Sequence, residues 1–260
     1  MKREAVVLLA IPLLGAACGS RTEPVRVSAD RPVSATPVVD KAPAARACTT
    51  RLQPLGTARK AYVGVASEGA VAVRTPGGAE VARFGPKNVN GYPSVFGIVG
   101  VVHSAACSPL WYRVQLPIRP NGSTGYIRAS SLHVLTVGSR IVVDVSDRRL
   151  TVLQSGKVRL TATVAVGSAA TPTPTGQYYV NQRLVPTDTS GPYGPGAVGI
   201  SAYSEVLTGW TQGGPIAIHG TNEPWSIGRA VSNGCIRLPN GTLRRVFQLA
   251  LAGTPVIVRA

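Results

Sequence analysis

Ile216–Leu238 reads IAIHGTNEPWSIGRAVSNGCIRL. A short apolar run ends in His219-Gly220-Thr221. Sixteen residues after the histidine, Cys235 follows Ser232-Asn233-Gly234 and opens a second apolar run. A free thiol has a pKa of about 8.5 and needs a nearby base to act as a nucleophile at neutral pH. An imidazole, with a pKa of about 6.5, is the natural partner. Gly220 and Gly234 sit beside the two reactive groups, where backbone must approach a substrate closely. This layout is that of a cysteine nucleophile with a general base.

The order and spacing resemble the L,D-transpeptidase catalytic domain, the YkuD family, which remodels bacterial peptidoglycan. His219 matches the family's first histidine, and Ser232, Gly234 and Cys235 match its Ser/Thr-His-Gly-Cys element. Asn233 stands where the family most often carries a second histidine. Thr171-Pro-Thr-Pro-Thr-Gly176 and Gly191-Pro-Tyr-Gly-Pro-Gly-Ala-Val-Gly-Ile-Ser201 are similar to family segments too, so the resemblance spans roughly residues 137–260.

The resemblance implies specific roles. Cys235 is the expected nucleophile and His219 the general base and acid. The backbone carbonyl of Gly220 is expected to orient the imidazole. Backbone N–H groups of Asn233, Gly234 and Cys235 are candidates for an oxyanion hole, with Gly234 suited to positive φ. Ser232 is expected to hold the turn and to border the substrate, with Arg237, Tyr203 and Trp210 as further substrate-binding candidates. Arg237 could equally sit in a structural salt bridge. Segment 182–214 is the expected lid or cleft wall. His103 and His133 lie in or beside the first folded region, which leaves His219 as the one histidine of the second. A thiolate–imidazolium pair is the expected resting state. No metal or organic cofactor is implied, and carbapenems are implied as covalent inhibitors.

The N-terminus addresses the chain. Lys2 and Arg3 precede an apolar run, Val6–Leu14, too short to span a bilayer. Gly15-Ala16-Ala17 then precedes Cys18. Residues 1–18 read as a secretory signal of lipoprotein type, with Cys18 as the lipidated residue and an ordinary cleaved signal as the alternative. Residues 19–47 carry Pro24, Pro32, Pro37 and Pro43 and few large apolar side chains, so they read as a disordered tether. The expected location is extracytoplasmic, anchored to the membrane and working in the wall. The net charge of +16 would suit nucleic acid, but an exported chain with scattered single arginines does not. Anionic wall polymers and membrane headgroups are better counter-charges; a solvated basic surface explains the charge equally well. In an oxidising setting Cys48 and Cys107 are expected to form a disulfide, the alternative being two buried free thiols.

The fold reads as mostly β. Residues 48–135 contain short β-rich runs at Ala61–Val65, Val71–Arg74, Val81–Phe84, Phe96–His103, Trp111–Leu116 and Thr124–Arg128. The last two resemble the closing strands of a bacterial SH3-like β-barrel, with Trp111 and Tyr126 as core or groove aromatics. Residues 137–260 follow with strands at Ile141–Val145, Leu150–Leu153, Val158–Gly167, Tyr178–Val180, Val198–Ala202, Ile216–His219 and Pro255–Val258. Thr242–Leu251 alone has a helical period, with Thr242 as expected cap and Gly253 as expected stop. A β-sandwich with one packed helix fits, and the family resemblance implies it.

The function expected is that of an exported L,D-transpeptidase forming 3→3 cross-links from tetrapeptide stems of peptidoglycan. An L,D-carboxypeptidase using the same thioester is one alternative. A non-catalytic wall-binding lipoprotein is another, and an intact Cys235/His219 pair speaks against it.

Overall fold

Alternating apolar residues between Gly- and Pro-rich turns become eighteen strands and one α-helix among the described residues. The structure, a computed structural model, describes residues 48–260. The expected signal at 1–18, with Cys18, and the expected tether at 19–47 lie outside the described residues.

The first eight strands are β1 (Gln53–Pro54), β2 (Ala61–Val65), β3 (Ala70–Val73), β4 (Glu80–Phe84), β5 (Val95–His103), β6 (Pro109–Gln115), β7 (Thr124–Arg128) and β8 (His133–Val137). They form one sheet in the order β4-β3-β7-β6-β5-β2-β8, with β1 added to β5. Phe96, Ile98, Val114, Leu116 and Ile127 pack into its core. Cys48 and Cys107 are joined by a disulfide that ties the start of this region to the β5–β6 connection. Closing 59 residues of chain in this way contributes about 4 kcal/mol in the chain-entropy account.

The second region contains β9 (Ser139–Asp144), β10 (Arg149–Gln154), β11 (Lys157–Thr163), β12 (Val166–Gly167), β13 (Gly176–Leu184), β14 (Ala197–Tyr203), β15 (Pro215–His219), β16 (Ala230–Ser232), β17 (Ile236–Arg237), α1 (Asn240–Leu249) and β18 (Pro255–Arg259). Its main sheet runs β11-β10-β9-β18-β13-β14-β15-β17, and β12 pairs separately with β16. Strand β13 belongs to both halves of this sheet. Gly176–Tyr179 pair with β18, whereas Val180–Leu184 pair with β14 across a break in register at Asn181. That irregularity turns the sheet, as bulges do. Ile141, Val152, Val180, Ile200, Ile218 and Leu243 from both halves and the helix then share one core.

Several expectations needed correction. Val158–Gly167 is two strands, because Val164 and Ala165 leave the β10 ladder and Ala165 bonds to Arg237 instead. The helix starts two residues early, with Pro239 at its N-cap and no capping side chain, so Thr242 is not the cap. Gly253 does not end it either. At φ 85° it turns the chain toward β18, where an added Cβ would lie 2.3 Å from Val63 Cβ. β16 and β17, of three and two residues, are too short for a periodic pattern to reveal.

The two sheets meet across a seam. Tyr179, 1% exposed, packs with Val63, Val95 and Val137, and its hydroxyl donates to the Val95 carbonyl at 2.9 Å. Its ring covers Gly97, where a Cβ would stand 3.1 Å from the ring atoms. Removing the hydroxyl leaves a buried carbonyl without its partner. Tyr179→Phe is therefore expected to lower stability by about 1–3 kcal/mol. Thermal unfolding checks this; an unchanged midpoint would show that the seam does not depend on that bond.

Candidate active site

β15 and β17 run parallel, with Ile218 opposite Ile236 and His219 opposite Arg237. Facing residues of a ladder point to the same side, and residues two apart share a face. Cys235, two before Arg237, therefore lies on the face that carries His219. Strand spacing puts their Cα atoms roughly 8 Å apart, within the combined reach of a thiol and an imidazole. Asn233 and Cys235 line a cleft of about 920 Å³, walled also by Tyr193, Gln182, Trp210 and Asn90.

His219 is 4% exposed, and its Nδ1 lies 2.5 Å from the Gly220 carbonyl oxygen. A carbonyl can only accept, so the proton sits on Nδ1 and the lone pair on Nε2. Gly220 has no room for a side chain: a Cβ would stand 2.3 Å from Asn240 Oδ1 and 2.8 Å from the Pro195 ring. Asn240 Oδ1 also accepts the Thr221 N–H at 2.8 Å, which ties the turn after the base to the first residue of α1. The Gly220 N–H donates to the Gly196 carbonyl at 3.3 Å, and Tyr193 packs edge-on against the imidazole at 5.0 Å. The glycine- and proline-rich element at 191–201 is thus the cradle of the base.

The Cys235 loop has its own cradle, and TPTPTG supplies it. Thr171 Oγ1 donates to the Ser232 carbonyl at 3.0 Å, and Thr173 Oγ1 donates to the Gly234 carbonyl at 2.9 Å. Gly234 sits at φ 108°, and a Cβ there would meet Ile216 Cδ1 at 2.9 Å. Both facts demand glycine. Ser232 is 1% exposed, and its hydroxyl donates to the Cys235 carbonyl at 2.6 Å while accepting the Gly234 N–H at 3.2 Å. This corrects its expected contact with substrate: both bonds of the hydroxyl go to the loop. It also commits the Gly234 amide, leaving the N–H groups of Asn233 and Cys235 as candidates for an oxyanion.

Other expectations divide. Arg237 forms an ion pair with Glu223, the structural role named beside substrate binding. Trp210 is half exposed and lines the cleft. Tyr203 does not line it. Its hydroxyl donates to the Pro117 carbonyl at 2.9 Å, its backbone pairs with the Asn121 carboxamide, and Arg119 stacks on its ring. Tyr203 is a seam residue. Tyr193 and Asn240 were missed. Nothing local marks Asn240, and Tyr193 stands in the 191–201 segment without a local signal that it reaches the imidazole.

Burial works against the expected thiolate–imidazolium pair. Burial pushes His219 down to about 4, against opposing hydrogen bonds from the Gly220 and Pro192 carbonyls. Burial pushes the Cys235 thiol up, although Cys235 is only partly buried as a residue. Both directions favour the uncharged forms of the two groups.

A mostly-β fold lines a cleft with Cys235, the one free thiol among the described residues, and holds a tautomer-locked imidazole, His219, on the neighbouring strand β15. The L,D-transpeptidase catalytic domain (YkuD) matches residues 138–258. A putative L,D-transpeptidase of Bacillus subtilis, YkuD, is 36% identical over 123 residues, covering 47% of this chain and 67% of that protein. A second from the same organism, YqjB, is 30% identical over 128 residues, covering 45% and 69%. Among solved structures, L,D-transpeptidase 3 from Mycobacterium tuberculosis with a faropenem-derived adduct is 19% identical, covering 55% of this chain and 76% of that one, with a TM-score of 0.38. The chain belongs to the L,D-transpeptidase family, and the enzyme class of its second region is L,D-transpeptidase.

The charge state gives a testable pH dependence. With the thiol pKa raised above its ordinary value, the thiolate fraction grows with pH throughout the neutral range. Alkylation of Cys235 by iodoacetamide is expected to accelerate about tenfold per pH unit between roughly 7 and 9. A rate already level at pH 7 would show a preformed ion pair.

Proposed function

We propose that this enzyme forms 3→3 cross-links between peptidoglycan stem peptides through a Cys235 thioester. The observation that carries the reading is the Nδ1–Gly220 bond, which leaves Nε2 unprotonated on the face of the sheet that also bears Cys235. The donor is a tetrapeptide stem. Cys235 Sγ attacks the carbonyl after its third residue as His219 Nε2 takes the thiol proton. Because burial favours the uncharged forms of both groups, this proton moves as the carbon–sulfur bond forms. Such positioned proton transfer contributes about 10²–10⁴-fold. Negative charge on the carbonyl oxygen is met by the Asn233 and Cys235 N–H groups. The imidazolium then returns its proton to the departing amine, and the terminal D-residue leaves. An acceptor amine on a second stem attacks the thioester, gives its proton through His219, and releases the thiol.

Asn233 is exposed at the cleft. Its carboxamide can hydrogen-bond to substrate but cannot titrate near neutrality, which supports His219 as the one base. The same thioester resolved by water would make the enzyme an L,D-carboxypeptidase. A strained β-lactam amide placed at Sγ would acylate it without an easy leaving group, so carbapenems are expected covalent inhibitors.

Incubating the protein with purified disaccharide-tetrapeptide and resolving products by mass spectrometry decides among these outcomes. A cross-linked dimer supports the proposal, a tripeptide alone supports hydrolysis, and unchanged substrate rejects both. Cys235→Ala is expected to abolish product and carbapenem adduct alike; an adduct on that variant would overturn the assignment of the nucleophile.

We also propose that the chain is exported, lipidated at Cys18 and tethered by 19–47, and that the first sheet is an SH3-like module. The Lys2-Arg3 start, the apolar run and the small residues before Cys18 support this. Cys18→Ser is expected to move the protein from the membrane fraction to the soluble one. Identical soluble fractionation of both forms would reject the anchor.

A further inference from the structure

The cleft beside Cys235 is not built by the second region alone. Asn90, on the connection between β4 and β5 of the first sheet, is one of its lining residues. Asn90 Nδ2 donates to Gln182 Oε1 at 2.9 Å and to Gln212 Oε1 at 3.3 Å. In return, Gln212 Nε2 donates to Asn90 Oδ1 at 3.0 Å. Asn88 Nδ2 adds a bond to Gln182 Oε1 at 2.8 Å. The two carboxamides of Asn90 and Gln212 thus pair reciprocally, each donating and accepting.

Gln212 holds φ 58°, a left-handed conformation that a residue with a side chain keeps only when its surroundings enforce it. Gly213 and Gly214 follow at φ 78° and 67°. The same segment carries Trp210, whose ring lines the cleft. Its two ends are held by one cation of the first sheet: Arg119 Nη2 donates to the Ser204 and Gly213 carbonyls, both at 2.6 Å. Most of the segment's remaining backbone bonds close its own turns, such as Trp210 N–H to the Leu207 carbonyl and Gly213 N–H to the Trp210 carbonyl.

We propose that the first sheet is a working part of the acyl-donor site: Asn90 and Arg119 are positioning residues that fix segment 204–214, and with it Trp210, as a wall of the thiol cleft. The identity of the donor as a stem peptide rests on the proposed function; the wall does not. Asn90 and Gln212 act as a unit, so losing either loosens the wall, and losing both costs little more than losing one.

The test uses the full chain with Asn90→Ala, Gln212→Ala and the double variant. Hydrogen–deuterium exchange is expected to speed several-fold across 204–214 in each single variant and no further in the double, with α1 and β15 unchanged. Cys235 alkylation by iodoacetamide should stay within about twofold, because the nucleophile's own cradle is untouched. Labelling by a bulky aryl maleimide should shift at least about fivefold relative to iodoacetamide, and the tetrapeptide KM should rise about five- to tenfold with kcat nearly constant. Unchanged exchange, an unchanged labelling ratio, or additive effects of the two substitutions would overturn the proposal. Faster exchange with an unaltered KM would reject the donor-positioning role. A wild-type protein inert toward tetrapeptide would sink the substrate reading alone, since exchange and labelling still decide the wall.

Discussion

Everything in the site depends on a two-rung parallel ladder. Ile218 and Ile236 form one rung and His219 and Arg237 the other. Parallel strands need a long crossover, and here the crossover contains the whole stretch from Gly220 to Cys235. That connection must leave the sheet, carry the nucleophile loop, and return in register. A slip of one residue would turn the thiol to the opposite face. The register is protected from both ends: Ile218 and Ile236 are fully buried, and the Leu238 N–H donates to the His219 carbonyl at 2.8 Å.

Two upstream segments brace the two reactive groups separately. TPTPTG holds the Ser232 and Gly234 carbonyls, while the 191–201 element packs around Gly220 and the imidazole. This division lets each group be placed by hydrophobic strands while its exposed loop stays rigid. The same enclosure sets the charge state. A base fixed by a carbonyl and buried to 4% exposure is well oriented but poorly solvated as a cation.

The seam between the sheets extends this economy of rigid parts. Tyr179 fills the apolar centre of the seam, and Tyr203 and Arg119 tie its edge to the segment that holds Trp210. Polar side chains at the seam bond mostly to backbone carbonyls, which fixes position without requiring paired charges.

The sequence alone determined most strands of the two main sheets, since alternation of apolar residues is a local property, but not β1, β8 or β17. It pointed to Cys235 and His219 as candidates, because chemistry restricts each role to few residue types, and it singled out Gly234 as a position suited to positive φ, which the structure shows at 108°. It placed the helix within two residues but misjudged its ends, because Pro239 fixed the start and Asn240 was committed to the turn after His219. Tertiary structure alone decided the rest. Tyr193 reaches His219 from 26 residues away along the chain, and Asn90 reaches Gln212 from 122. Ser232 turned inward and Tyr203 turned to the seam for hydrogen-bond partners that no local pattern announces. The push of both groups toward their uncharged forms comes from burial, a quantity summed over the whole fold and written in no single stretch of it.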